Sequence, residues 1–62
     1  MKEVMKVNIA MMRLTSNEML IISLKKLVKE CKLQNIDSSE QEEFINSLLS
    51  ENESLRREYG LA

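Results

Sequence analysis

The sequence lacks the residue types that build most active sites and most structural staples. Its 62 residues include no histidine, tryptophan or proline, and only one glycine and one cysteine. A single cysteine cannot form a disulfide within the chain, and zinc sites need clustered Cys and His ligands. Without histidine, Cys31 has no imidazole to activate its thiol. The sequence therefore predicts a protein that is not an enzyme and that holds no cofactor and no metal.

Excess charge of one sign and long apolar runs are also missing. The formal net charge is −1, although residues 1–32 carry +4 and residues 33–62 carry −5. Neither half offers the concentrated basic face that nucleic acid requires. No apolar run is longer than that of Met19 to Ile22, which is far shorter than a membrane span. We therefore expect no nucleic-acid partner and a cytoplasmic location, which also suits a single free cysteine.

Helix-forming residues are abundant, and they predict an all-α chain. A lone domain of this length buries little surface and is marginally stable unless something reinforces it. With disulfides and metals excluded, association with other helices is the remaining way to bury apolar side chains. We expect a single helical segment over residues 1–62 that belongs to a larger protein.

Apolar residues in the second half recur in alternating steps of three and four, which is the spacing of a coiled-coil seam. In this frame Ile45, Asn52 and Tyr59 occupy a positions, while Leu48 and Leu55 occupy d positions. The frame continues upstream through a polar stretch and reaches apolar residues again. The predicted oligomer seam consists of Leu20, Leu24, Leu27, Cys31, Ile45, Leu48, Asn52, Leu55 and Tyr59.

Two polar stretches are the weak points of a continuous helix. "TSNE" at 15–18 has capping-box spacing, and the frame fails upstream of it because Asn17 and Arg13 would fall on the seam. "NIDSSEQEE" at 35–43 could start a new helix or lie on the wet face of one that continues. Since the apolar phase survives the second stretch, the sequence favours a helix that continues through it. At 15–18 the sequence allows either a local overwinding of the supercoil or a true break.

Asn52 indicates how the chain would associate. In a parallel two-stranded coil, an asparagine at an a position pairs with its twin across the axis and fixes the register. Glu51 and Arg56 fall at g and e positions, where they would form an interchain charge pair. The fold prediction is therefore an elongated coiled coil that forms a parallel homodimer.

The alternative fold is a helical hairpin or antiparallel bundle with a turn near residues 35–39. A basic first half and an acidic second half would complement each other in that arrangement. The predicted function is a coiled-coil oligomerisation and scaffold or adaptor module, whose partners are itself and a further protein. Four methionines among the first twelve residues allow a second function, a Met-rich groove for a partner helix. An amphipathic helix on a membrane surface is a third.

The stretch "IDSSEQEEFINSLLSENESLRRE", residues 36–58, carries a resemblance to a known family. It resembles the coiled coil of the family containing suppressor of IKK-epsilon and the fibroblast growth factor receptor oncogene partner. The residues that carry the resemblance are Ile36-Asp37, Glu40-Gln41-Glu42, Leu48 with Glu51-Asn52, and Leu55-Arg56. The first half of the chain departs from that family's pattern. The resemblance implies a cytoplasmic adaptor of striatin-interacting phosphatase and kinase assemblies that acts by binding.

Overall fold

The computed structural model describes residues 2–61, which form two antiparallel helices joined by a short turn. Helix α1 spans Lys2–Leu33 and helix α2 spans Ser39–Tyr59, and residues 2–61 contain no strand. The hairpin measures 50 × 16 × 15 Å along its principal axes. The all-α prediction is confirmed. The chain folds back on itself as in the alternative prediction, and it does not run as one continuous helix.

Helix α1 passes through the predicted weak point at 15–18 without a break. The Thr15 hydroxyl donates a hydrogen bond to the carbonyl oxygen of Met11 at 3.0 Å, one turn earlier in the same helix. A threonine inside a helix commonly satisfies its hydroxyl in this way, and it then caps nothing. The capping-box spacing of Thr15 and Glu18 therefore does not mark a helix start.

The turn lies within the second predicted weak point. Asn35 has a φ of 58°, and apart from Gly60 it is the only described residue with positive φ. The amide of Ile36 donates to the carbonyl of Cys31 at 2.8 Å, the six-to-one hydrogen bond of a Schellman ending. Asparagine adopts the left-handed conformation more readily than most residues. Helix α1 therefore stops here without a glycine.

Hydrogen bonds and backbone conformation define both the start and the end of helix α2. The carboxylate of Asp37 accepts hydrogen bonds from both the amide and the hydroxyl of Ser39, the first helical residue. At the other end Gly60 has a φ of 67°, and the amide of Leu61 donates to the carbonyl of Arg56 at 2.8 Å. Glycine adopts this left-handed conformation at low energetic cost, so it ends the helix.

Each helix buries one ladder of side chains against the other, in steps of three and four. On α1 the ladder is Ala10, Leu14, Asn17, Ile21, Leu24, Val28 and Cys31. On α2, together with the N-cap residue Ser38 that precedes it, the ladder is Ser38, Gln41, Ile45, Leu48, Asn52, Leu55 and Tyr59. The apolar centre is formed by Ile21, Val28, Ile45 and Leu48, with Leu24 packed against them.

Two residues of the predicted seam lie outside this interface. Leu20 and Leu27 are 47% and 46% exposed, whereas their neighbours Ile21 and Val28 are buried. Ile21 and Val28 face α2 because only their series of steps of three and four residues continues through Asn17 to Leu14. The seam of α1 is thus displaced by one residue at two of the predicted positions.

Candidate functional site

A buried hydrogen bond between two asparagines joins the helices. The side-chain nitrogen of Asn17 donates to the side-chain oxygen of Asn52 at 2.9 Å. Asn52 is 2% exposed and Asn17 is 6% exposed, and none of the buried side-chain nitrogen or oxygen atoms in the described part of the chain lacks a hydrogen-bond partner. Asn52 therefore has its amide partner on α1 of the same chain, in place of the twin predicted for a parallel pair.

The asparagine pair sets the register of the hairpin. In an antiparallel pair, moving seven residues forward on one helix and seven back on the other reaches the next equivalent layer. From Asn17 and Asn52 this step leads to Leu24 and Ile45, both of which belong to the apolar centre. Another step leads to Cys31, which is buried at 8% exposure next to the turn. A slip of one residue would separate the two amides, so their hydrogen bond favours this register.

Ion pairs between the helices flank the seam. Arg13 Nε lies 2.6 Å from Glu51 Oε1, and Arg56 Nη2 lies 2.9 Å from Glu18 Oε1. A third pair joins Lys32 and Glu42 at 3.3 Å, near the turn. Glu51 and Arg56, predicted to pair between chains, each contact α1 of their own chain. All these side chains are at least one-third exposed, so each pair contributes less than about 1 kcal/mol.

The hairpin leaves an apolar face beside the seam. Leu24, Leu27 and Phe44, together with Gln41 and Glu40, line a shallow groove of about 260 Å³ between the helices. Phe44 is 51% exposed, and Leu20 lies two helical turns before Leu27 on the same side of α1. These four apolar residues form the groove face: Leu20, Leu24, Leu27 and Phe44.

A second apolar surface lies on the side of α1 that points away from α2. Met5, Met12 and Met19 follow one another at intervals of seven residues, so they form one stripe along the helix. They are 65%, 69% and 66% exposed, respectively. Helix α1 therefore carries exposed apolar side chains on two sides besides the seam, in the groove face and in the Met stripe.

The described residues include neither a cluster of metal ligands nor a membrane-spanning helix. Between residues 2 and 61 there is no group of three or more Cys, Asp or Glu side chains that could hold a metal ion. No helix in that range is long and apolar enough to cross a membrane. Hydrogen bonds from the Ser39 hydroxyl and amide hold the pKa of the exposed Asp37 carboxyl below its usual value. These hydrogen bonds form where α2 begins.

The structure brings together most of the residues predicted to form the oligomer seam, but within one chain. Leu24, Cys31, Ile45, Leu48, Asn52, Leu55 and Tyr59 lie in the seam between α1 and α2. The sequence does not predict Asn17 as a seam residue, because the heptad frame fails upstream of Leu20. The sequence does carry one sign of this pairing, because Asn17 and Asn52 are separated by five heptads.

Comparisons with protein-family models, with curated proteins and with solved structures give no match for this chain. The resemblance of residues 36–58 to the adaptor family stays a prediction.

Proposed function

We propose that the hairpin is a helical oligomerisation module that acts as a scaffold or adaptor and performs no catalysis. The observation that carries the proposal is the groove face, where Leu20, Leu27 and Phe44 are each about half exposed although the chain is only 62 residues long. Large contiguous apolar patches on a small protein commonly mark an interface.

The occupant that we propose for the groove face is a second copy of the hairpin. Two hairpins that meet through this face would form a four-helix bundle, in which helices pack about 20° from antiparallel around a shared apolar layer. Burial in such a layer favours association because a fully buried leucine contributes about 1.5–3 kcal/mol relative to an exposed one.

Charge supports an arrangement in which α1 of one copy lies on α2 of the other. Residues 1–32 carry +4 and residues 33–62 carry −5, so this pairing sets a basic helix against an acidic one. Opposite charge at an interface chiefly guides orientation and association rate. The apolar layer supplies most of the affinity, and the charges favour one orientation of the two hairpins.

A second candidate function rests on the Met stripe. Methionine side chains are flexible and polarizable, so they adapt to partners of different shape. Met5, Met12 and Met19 would then receive an apolar helix of another protein. This is the form that an adaptor function, such as that implied by the family resemblance, would take in this chain.

Paired substitutions on α1 test the proposal. Leu27→Ser removes an apolar side chain from the groove face, and Met19→Ser removes one from the Met stripe. Both residues are exposed in the hairpin, at 46% and 66%, so neither change should unfold it. We expect sedimentation equilibrium to give a dimer mass for the unaltered chain and for Met19→Ser, and a mass shifted towards the monomer for Leu27→Ser.

Circular dichroism serves as the control for folding, since both variants should keep the helix content of the unaltered chain. A monomeric mass for the unaltered chain at every concentration would refute self-association. A dimer that Met19→Ser dissociates and Leu27→Ser does not would assign the interface to the Met stripe.

A further inference from the structure

We propose that the hairpin can also exchange α2 with a second copy of the chain, which gives a swapped dimer of two continuous antiparallel helices. This dimer uses the seam, not the groove face, so it is independent of the proposed pairing of hairpins. Three features of the hairpin favour the exchange: the spacing of the seam, the contacts that a swap preserves, and the conformation of the turn.

Every second residue of the seam keeps one heptad spacing across the turn. Asn17 and Asn52 are separated by 35 residues, a whole number of heptads, and the buried residues Cys31 and Ser38 are seven apart. Two helices joined by a turn have independent phases, so a shared position of this kind is expected by chance in roughly three cases in seven. If residues 34–38 became helical, these four residues would lie along one side of a single helix, and Ile21 and Val28 would lie one residue after the heptad position of Leu48.

Two such helices can pair in antiparallel orientation with every seam contact retained. Asn17 of each copy would meet Asn52 of the other, and the Arg13–Glu51 ion pair would likewise form between copies. Each interaction observed once in the hairpin would then occur twice in the dimer. Domain swapping is favoured when an element keeps its native contacts in this way.

The turn contains nothing that prevents it from becoming helical. Residues 34–38 include no proline and no glycine. Asn35 has a φ of 58°, a conformation that side chains with a Cβ disfavour, and a continuous helix removes that strain. The hairpin is favoured at low concentration because the short connection keeps the helices at a high effective concentration. The fraction of chains in the swapped dimer therefore increases as the protein concentration rises.

Substitutions at Asn35 test this balance in opposite directions. Asn35→Ala disfavours the left-handed turn and favours a continuous helix, whereas Asn35→Gly relieves the turn and favours the hairpin. Both changes are made in the full chain with Leu27→Ser, which suppresses pairing through the groove face. We expect Asn35→Ala to dimerise about tenfold more tightly than Asn35→Gly by sedimentation equilibrium.

Small-angle scattering then distinguishes the two kinds of dimer by length. A continuous helix over residues 2–59 would be about 87 Å long at 1.5 Å per residue, against 50 Å for the hairpin. An elongated Asn35→Ala dimer of that length supports the swap. A compact dimer near the length of the hairpin, or a monomer at every concentration in both variants, overturns it. A compact dimer without Leu27→Ser would still leave the proposed pairing of hairpins in place.

Discussion

At the scale of single residues, the Asn17–Asn52 hydrogen bond is a buried polar interaction that is costly to break. Both amides are buried, so neither can turn to water if its partner is removed. A hydrogen bond between neutral groups contributes only about 0.5–1.5 kcal/mol, but a buried amide left without a partner costs about 1–3 kcal/mol. The pair therefore chiefly disfavours other registers.

Replacing one asparagine should harm the fold more than replacing both. We expect Asn52→Val to lower the free energy of unfolding by about 1–3 kcal/mol in urea denaturation, because Asn17 would remain buried without its partner. The double variant Asn17→Val/Asn52→Val should recover most of that loss, since two apolar side chains would then meet. Additive effects in this double-mutant cycle would mean that the two amides do not interact.

Two adjacent leucines on α2 offer a second comparison at this scale. Leu48 is 6% exposed in the apolar centre, and Leu49 is 47% exposed on the outer side. Leu48→Ala should lower the free energy of unfolding by about 2–4 kcal/mol, because it leaves a cavity between the helices. Leu49→Ala is the control and should change it by roughly 0.5 kcal/mol at most. Comparable losses in thermal or urea melts would contradict the assignment of the buried side.

At the scale of the helices, α2 was predictable from its sequence and α1 only in part. The ladder of Ile45 and Leu48 continues to Leu55 and Tyr59. The adjacent apolar residues Phe44 and Leu49 start phases that reach the charged residues Glu51 and Arg56 seven residues later. On α1, the consecutive pairs Leu20-Ile21 and Leu27-Val28 allow two phases, and apolar spacing alone does not choose between them. The choice depends on contact with α2, which is tertiary information.

Asn17 shows why the hairpin was harder to predict than its helices. An asparagine on a seam looks like an interruption until a second asparagine is placed opposite, and that placement requires the antiparallel register. The turn was also ambiguous because Asn35 ends α1 without the usual glycine, while Asp37 and the serines after it suit a helix start and a helix surface equally. The all-α class needed none of this, since composition alone determined it.

The stability of the first turn of α2 should depend on pH through the carboxylate of Asp37. Its pKa is lowered in the folded chain by the hydrogen bonds from Ser39, so the charged carboxylate stabilises the fold. That contribution is complete above the unfolded pKa, which is about 3.9 for aspartate, and is lost as the pH falls through the lower folded value. Asp37→Asn removes the titration and keeps an acceptor oxygen.

We therefore expect the difference in melting temperature between the unaltered chain and Asp37→Asn to be constant near neutral pH and to shrink below about pH 4. Thermal melts followed by circular dichroism at several pH values measure this difference. The other carboxylates titrate in both proteins, so their contributions largely cancel in the difference between the two melting temperatures. A difference that stays the same down to pH 2 would show that the Asp37 charge does not stabilise α2.

At the scale of the whole molecule, the chain has more apolar surface than one hairpin can bury. Its seam uses one side of α1, while the groove face and the Met stripe remain exposed on other sides. If either association proposed above occurs, stability becomes linked to protein concentration. We expect the melting temperature to fall on hundredfold dilution. Superimposable melts over that range would indicate a hairpin that is stable as a monomer.

The antiparallel course of the two helices also determines the order in which contacts can form during folding. Lys32 and Glu42 are only ten residues apart, whereas Asn17 and Asn52 are separated by 35, so closing the chain at the turn has the lower entropic cost. Folding would start there and proceed towards the open end, and the asparagine hydrogen bond would form late. Asn17→Ala should then accelerate unfolding and leave the folding rate nearly unchanged, which stopped-flow kinetics would reveal as a φ-value near zero.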